Sequence, residues 1–163
     1  MPRALLVYPE LEGLRRPFRS RSMKIHLVML GKTRQSEPRA LLDDYIKRIS
    51  HYADIQITEL RDSAVWRKRK LDAHSAVVLL DAAGKQFTSP QFAKWLGTQR
   101  DTGLRELVFL CGDADGFPSE LRAAARHKIS LSTLTMPHEL ARVLLAEQIY
   151  RAFAILAGHP YPK

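Results

Sequence analysis

The sequence is poor in the features that mark many functional classes. Of its 163 residues only Cys111 is a cysteine. That excludes an internal disulfide framework and a Cys-rich zinc site, and agrees with a reducing, cytoplasmic setting. A lone thiol at the end of an apolar run reads as a small core residue at a strand end. The six histidines show no metal-ligand spacing, so no metal is expected. No apolar run approaches the roughly 20 residues of a membrane-spanning helix. Internal repeats and low-complexity tracts are missing. No Gly-x-Gly-x-x-Gly follows the first apolar run, and neither a P-loop nor a Gly-x-Ser-x-Gly elbow occurs. Negative charge is also scarce: 17 Asp and Glu face 26 Lys and Arg, a net charge of +9. Such a balance favours a polyanionic partner, nucleic acid before an anionic membrane surface.

What remains is the composition of a soluble globular protein, 45% hydrophobic and 26% charged, with length for one domain and a real core. Residues 1–22 read as an appendage, with Arg3, Arg15, Arg16, Arg19 and Arg21 against Glu10 and Glu12. They are a mis-set start with Met23 as initiator, a flexible basic arm, or an added strand around Leu5 to Tyr8. From Lys24 the chain alternates regularly, and residues 23–163 read as a single domain. Lys24–Leu30 is a first strand, ended by Gly31. Ser36 caps a helix to about Tyr52, with Leu41, Leu42, Tyr45, Ile46 and Ile49 inward. Asp54–Leu60 is a second strand. Arg61–His74 is short and strongly basic, with Arg67, Lys68, Arg69 and Lys70 beside Trp66. This is either a solvated face or a phosphate-tracking surface next to an exposed aromatic. Ser75–Asp81 and Glu106–Cys111 are continuous apolar runs, as in strands covered on both faces. Between them Ala82–Phe87 is a loop and Ser89 to about Gln99 a helix with Phe92, Trp95 and Leu96 inward. Pro118 to His127 is a short helix and Lys128–Leu131 a last strand. The order predicts an α/β domain with a mostly parallel sheet and helices on both faces.

The last stretch, Ser130 to Lys163, is the most informative. Leu140, Val143, Leu144, Ile149, Phe153 and Leu156 recur at helical steps, and the small and apolar residues between them predict burial on more than one side. Pro137 fits the first turn, Thr135 the cap, and Gly158 with Pro160 the stop. Arg142 and Arg151 are expected to be solvated or paired with Glu139 and Glu147. In a parallel sheet ligands bind beyond the carboxyl ends of the strands. Three of those ends stand out: Leu80 to Gly84, Cys111 to Gly116 and Ser132 to His138.

These residues are specific enough to show a likeness. Lys24-Ile25-His26-Leu27-Val28 opens it and Leu79-Leu80-Asp81 continues it. Its main part is Leu131-Ser132-Thr133-Leu134-Thr135-Met136-Pro137-His138, running into Arg142-Val143-Leu144-Leu145-Ala146-Glu147-Gln148-Ile149-Tyr150-Arg151-Ala152, with His159-Pro160-Tyr161 at the end. Met23–Lys163 resembles the RlmH (YbeA-type) branch of the SPOUT methyltransferases, which modify bacterial large-subunit ribosomal RNA. The resemblance implies a C-terminal deep trefoil knot, an exception to the rule of unthreaded chains. It also implies an S-adenosyl-L-methionine pocket contacted by Leu80, Gly112, Ser132, Thr133, Leu134, Thr135, Met136 and Pro137. The acceptor it implies is N3 of a pseudouridine in a ribosomal hairpin loop. His138, Arg142, His159 and Tyr161 are then the candidates for deprotonation and charge stabilisation, Arg142 suiting charge or phosphate contact better than proton removal. The implied partners are ribosomal RNA in the ribosome and a second copy of the chain, the substrate site being shared across a homodimer. The family's Gly-Gly-x-x-Gly carries Asp113 at its second position here, Pro162 replaces a histidine after Tyr161, and the Arg61–His74 connection is short. These departures support an alternative, a catalytically silent knotted RNA- or ribosome-binding protein.

Overall fold

A computed structural model describes residues 23–67, 69–113 and 115–161, with Arg67 in its backbone only. The basic segment 1–22 and Pro162 lie outside the described residues. The elements are β1 (Lys24–Leu30), α1 (Ser36–Ile49), β2 (Ile55–Leu60), α2 (Ser63–Arg67), β3 (Ser75–Gln86), α3 (Ser89–Asp101), β4 (Glu106–Cys111), α4 (Ser119–Ala124), β5 (His127–Ser130) and α5 (His138–Leu156). The five strands form one sheet in the order β2-β1-β4-β3-β5, and every pairing is parallel. No described helix is long and apolar enough to cross a membrane.

Burial on both faces explains the largely apolar strands. β1 and β4 are buried from Ile25 to Leu30 and from Leu107 to Cys111. On one face Ile25, Leu27, Met29, Leu107 and Phe109 pack under α1, α3 and α5, against Leu42, Ile49, Phe92, Leu96, Leu145, Ile149 and Phe153. On the other, Val28, Leu79, Val108 and Leu110 pack under Trp66 of α2 and Leu121 of α4. α5 has buried residues all around it, because it lies between α1 and α3. A helix with two helical neighbours and a sheet has little left for solvent.

Several expectations change. Trp66 is buried, 6% exposed, as the wedge that seals the second face, so it offers no stacking platform for RNA. Leu41 and Leu140 are about half exposed at 51% and 50%, because each sits on the outer side of its helix's opening turns. α5 begins at His138 with Pro137 as its N-cap and no side-chain cap, so Thr135 stays in the preceding loop. α1 likewise starts behind Gln35, and its regular turns end at Ile49. By contrast, Thr88 and Gln91 form a full capping box on α3. Gly158 ends α5 in the left-handed region, φ +70°.

The stretch expected to be a loop after Asp81 stays with the sheet. Leu80 and Lys85 both lie opposite Ile129 of β5, and the residues between them bulge out of register. Gly84 makes this possible: a Cβ there would stand 2.6 Å from the Ile129 nitrogen and from the Lys128 carbonyl carbon. Backbone crosses backbone at that point, and only glycine fits.

Candidate functional site

β4 has β1 and β3 as neighbours, and the helices that follow them leave on the face opposite to the one that follows β4. Loops diverging in this way open crevices at the carboxyl rim of the sheet. At the carboxyl rim beside β4, β3 and β5 the chain places Leu80 and Asp81, then Gly112, Asp113 and Gly116, and the loop from Leu131 to Pro137 ahead of α5. Asp81 is nearly covered and accepts the Ala83 amide at 2.9 Å, with Arg122 at 3.4 Å. Asp113 and Gly116 form an isolated bridge, and a Cβ on Gly112 would meet Gly116 at 3.3 Å, so this turn is as tight as its glycines allow. The Asp113 carboxylate accepts the Asp115 amide at 2.9 Å, closing the turn from within.

The loop 131–137 is built differently. Among the described residues two short-range bonds hold it: Ser130 Oγ to the Ser132 carbonyl at 3.0 Å, and the Leu134 amide to Ser132 Oγ at 2.9 Å. Ser132 and Met136 are half-buried, Thr133, Thr135 and Pro137 exposed, and Leu134 is 77% exposed. An apolar side chain held outward beside lightly bonded peptide groups offers both a hydrophobic contact and backbone donors and acceptors to a ligand. Gly112 and the loop with Ser132 to Pro137 thus follow β4 and β5, while Leu80 marks the point where β3 leaves its regular register with β5.

On the other side of β4, the turn after β1 is held from several directions. Its first amide, Gly31, donates to the Leu60 carbonyl at 2.6 Å. Glu59 accepts the Thr33 amide at 3.2 Å and Arg39 Nη2 at 2.7 Å. Burial pushes the Glu59 carboxyl up, but those bonds outweigh it and leave its pKa lowered. Glu139, 8% exposed on the first turn of α5, accepts the amides of Arg34 and of Gln35, the latter at 3.3 Å. Arg142 has no exposed surface. Its Nη1 donates to Thr33 Oγ1 at 3.0 Å and its Nη2 to the Leu30 carbonyl at 2.6 Å, while Nε has no partner. Burial lowers the Arg142 pKa, and Glu59, Glu139 and Asp113 help to hold the charge. It is neither solvated nor paired with Glu139 as expected, because Glu139 is engaged by backbone amides. A phosphate contact is closed to a guanidinium so enclosed in the single chain. Cys111, next to it at the end of β4, is buried, and desolvation pushes its thiol up to about 12, which makes it inert.

The four polar candidates divide into two pairs. His138 and Arg142 open α5 at the carboxyl rim. His159 and Tyr161 follow its last turn, a helix length of about 28 Å away at 1.5 Å per residue. There the His159 amide donates to the Ala154 carbonyl at 2.9 Å, and the ring lies edge-on to Tyr52. Tyr161 stands edge-on to Tyr150 at 4.8 Å under the Arg151 guanidinium at 4.4 Å. Desolvation raises the Tyr161 pKa, with a hydrogen bond to Tyr45 adding to it. Arg151 pairs with Glu147 one turn back, as expected. No single chain brings the two pairs together.

At the amino rim another polar cluster is closed on itself. His26, 2% exposed, has Nε2 2.9 Å from Thr58 Oγ1, and Nδ1 2.9 Å from Arg69 Nη1 and 3.2 Å from Glu106 Oε1. Arg69 Nη2 reaches the same Glu106 oxygen at 3.1 Å, and Ser75 Oγ the other at 3.2 Å. A neutral ring with its proton on Nε2 donates to Thr58 and accepts from Arg69. Burial, then Arg69, lowers the His26 pKa against the pull of Glu106. The basic connection therefore spends Arg69 on structure. Among the described residues no three His, Cys, Asp or Glu gather as a metal site would require.

Residues 23–162 match the family model described as "Predicted SPOUT methyltransferase". Two relatives named ribosomal RNA large subunit methyltransferase H are similar over most of their length. The Koribacter versatilis protein is 39% identical over 142 residues, covering 85% of this chain and 97% of its own. The Geotalea daltonii protein is 40% identical over 151 residues, covering 85% and 99%. Among solved structures, a probable methylase family protein from Haemophilus influenzae superposes with a TM-score of 0.57 at 11% identity, over 85% of this chain and 72% of that one.

Proposed function

Because the chain belongs to the SPOUT methyltransferase family, we propose that it methylates large-subunit ribosomal RNA at N3 of a pseudouridine in a hairpin loop of the 23S molecule. S-adenosyl-L-methionine is the donor, and when bound it supplies a methyl group already activated on a sulfonium. The observation that carries this reading is the β3–β4 crevice, where glycine turns meet a loop whose peptide groups are lightly engaged. Leu80 and Leu134 would line the adenosine, Gly112 would give it close approach, and Ser132, Thr133, Thr135, Met136 and Pro137 would hold it through the backbone. In the family such a pocket is the product of a deep trefoil knot, and the backbone crossing of Gly84 on Ile129 is compatible with that threading. Positioning of the acceptor in line with the donor is then most of what the protein contributes.

The acceptor N–H must lose its proton. His138, half-buried at the rim, is the base available within one chain. His159 and Tyr161 enter from a second copy, whose tail reaches the crevice that its own tail cannot. Tyr161, with its raised pKa, is suited to stacking and donation rather than to proton removal. Leu41, Leu134 and Leu140, all exposed at this end of the molecule, supply apolar surface for that homodimer. Arg142 acts by positioning, through the turn that it holds. Asp113 is occupied by its own turn, which argues against its repelling the donor's carboxylate.

The test is calorimetry with S-adenosyl-L-methionine and its demethylated product, followed by methyl transfer to large subunits from a strain lacking this modification. Stoichiometric binding and one methyl group per subunit are expected. Subunit binding without cofactor binding would establish the silent RNA-binding alternative instead.

A further inference from the structure

We infer that the turn after β1 is a preformed phosphate clamp for the RNA strand beside the acceptor nucleotide, with Lys32 and Arg34 as its contacts. This inference rests on the reading of the protein as an RNA methyltransferase. The turn lines the second crevice, between β1 and β4, next to the one assigned to the cofactor. A Cβ on Gly31 would lie 4.0 Å from Asp113 Cβ, so the two crevices share a wall.

The case is one of division of labour along five residues. Four of the five amides and the buried Thr33 side chain are turned inward: Gly31 to Leu60, Thr33 to Glu59 and Arg142, Arg34 and Gln35 to Glu139. The Thr33 carbonyl accepts from Arg39 Nη2 at 3.0 Å. Lys32 and Arg34 alternate with Thr33 and are exposed. Among the described residues neither side chain has a hydrogen bond or ion pair. Arg61, exposed and likewise without a partner among the described residues, follows the neighbouring β2 and extends the same positive rim. The nearby carboxylates are engaged elsewhere: Glu59 by Arg39, Glu139 by amides, Asp62 by the Ala64 amide at 2.8 Å, Asp113 by the Asp115 amide, and Glu37 by its own amide and Ser36. A surface salt bridge is easily made when the sequence permits it, and here the acids that could neutralise the cations are turned away.

The backbone of such a turn needs no ordering when it binds, so the binding cost is confined to the rotamers of two side chains whose charge attracts a polyanion. An arginine can hold two phosphate oxygens with its fork, while a lysine serves as a point charge. Their place at the rim, beyond the strand ends and beside the cofactor crevice, suits a backbone phosphate close to the reacting base. No base edge is read by such a pair, so the clamp gives register and affinity rather than sequence choice.

The experiment uses the full chain and purified large ribosomal subunits lacking the methyl group, with binding measured over a range of potassium chloride concentrations. The Lys32→Ala/Arg34→Ala double variant should keep the wild-type affinity for S-adenosyl-L-methionine. The slope of log affinity against log salt should shrink by about 1.5, as expected for two lost phosphate contacts. A control pair on distant helix surfaces, Lys47→Ala/Lys94→Ala, should leave the slope within about 0.3 of the wild type on the same scale. Equal slopes for the double variant and the wild type would overturn the clamp alone, with the methyltransferase reading intact. An equal loss in the control pair would also overturn it, by showing diffuse attraction. Wild-type protein that neither binds nor methylates the subunits would overturn both.

Discussion

The two rims of the sheet carry polar groups of similar kinds and use them in opposite ways. At the amino rim, His26, Thr58, Arg69, Ser75 and Glu106 satisfy one another, and little is left to meet a ligand. At the carboxyl rim the bonding is one-sided. Glu59, Glu139 and Arg142 fix the turn through its backbone and the Thr33 hydroxyl, and its Lys32 and Arg34 stay exposed. A closed network makes a scaffold, whereas a network closed on one side makes a presented surface. Buried polar groups by themselves do not mark a site.

The comparison breaks most completely if the carboxyl rim cannot form. Gly84→Val should remove most folded protein or cost at least about 3 kcal/mol by urea denaturation, since its side chain meets main chain that cannot yield. Arg142→Met should cost about 3 kcal/mol, because the Leu30 carbonyl and the Thr33 hydroxyl lose their buried donor. Arg142→Lys should recover part of the stability but not the double attachment. If Arg142→Met folds normally and keeps RNA affinity, the turn is not held as described.

The amino rim supplies a pH test. His26 is held neutral by burial and Arg69, so its folded pKa is below the ordinary 6.5. Below about pH 6.5 the unfolded chain takes up the proton more readily, so stability should fall as pH drops through that range and be complete above it. His26→Asn should flatten the dependence without altering cofactor affinity. A pH profile of stability unchanged by that substitution would show the network to be less closed than its distances indicate. The smallest effect is expected at Asp113. Asp113→Asn keeps the bond to the Asp115 amide and should change stability by no more than about 0.5 kcal/mol. Cofactor affinity should change less than about threefold if the carboxylate serves only its own turn.

Sequence pattern was a good guide where one physical cause dominated. Lys24–Leu30 and Glu106–Cys111 are read correctly to the residue because both faces of each are buried, and His26 is the one polar side chain inside either run. Pattern failed where a partner distant in sequence decided the outcome. Trp66 beside a basic run looks exposed until the far face of the sheet is seen to need a lid. Ala82–Phe87 looks like a plain loop because nothing nearby announces that β5 will lie against Gly84. Leu140 carries a helical period but sits on the turn that projects beyond the helix's neighbours. At the site, the glycines and the Ser132–His138 stretch were legible because they are contiguous. The turn Gly31 to Gln35 was not, since its restraints other than Arg39 come from residues 26 to 109 positions away. A Lys and an Arg flanking a threonine directly after the first strand were the available signal.

The encounter of Leu80 and Lys85 with the same residue of β5 has a consequence for how the molecule is made. Residues 23–126 contain four of the five described strands but not the one against which this bulge closes. A chain still emerging from its own ribosome must keep that segment open, its apolar rim uncovered, until the last quarter has been synthesised. Maturation is therefore a late, long-range event, governed by when the final strand arrives rather than by how quickly the earlier helices wind.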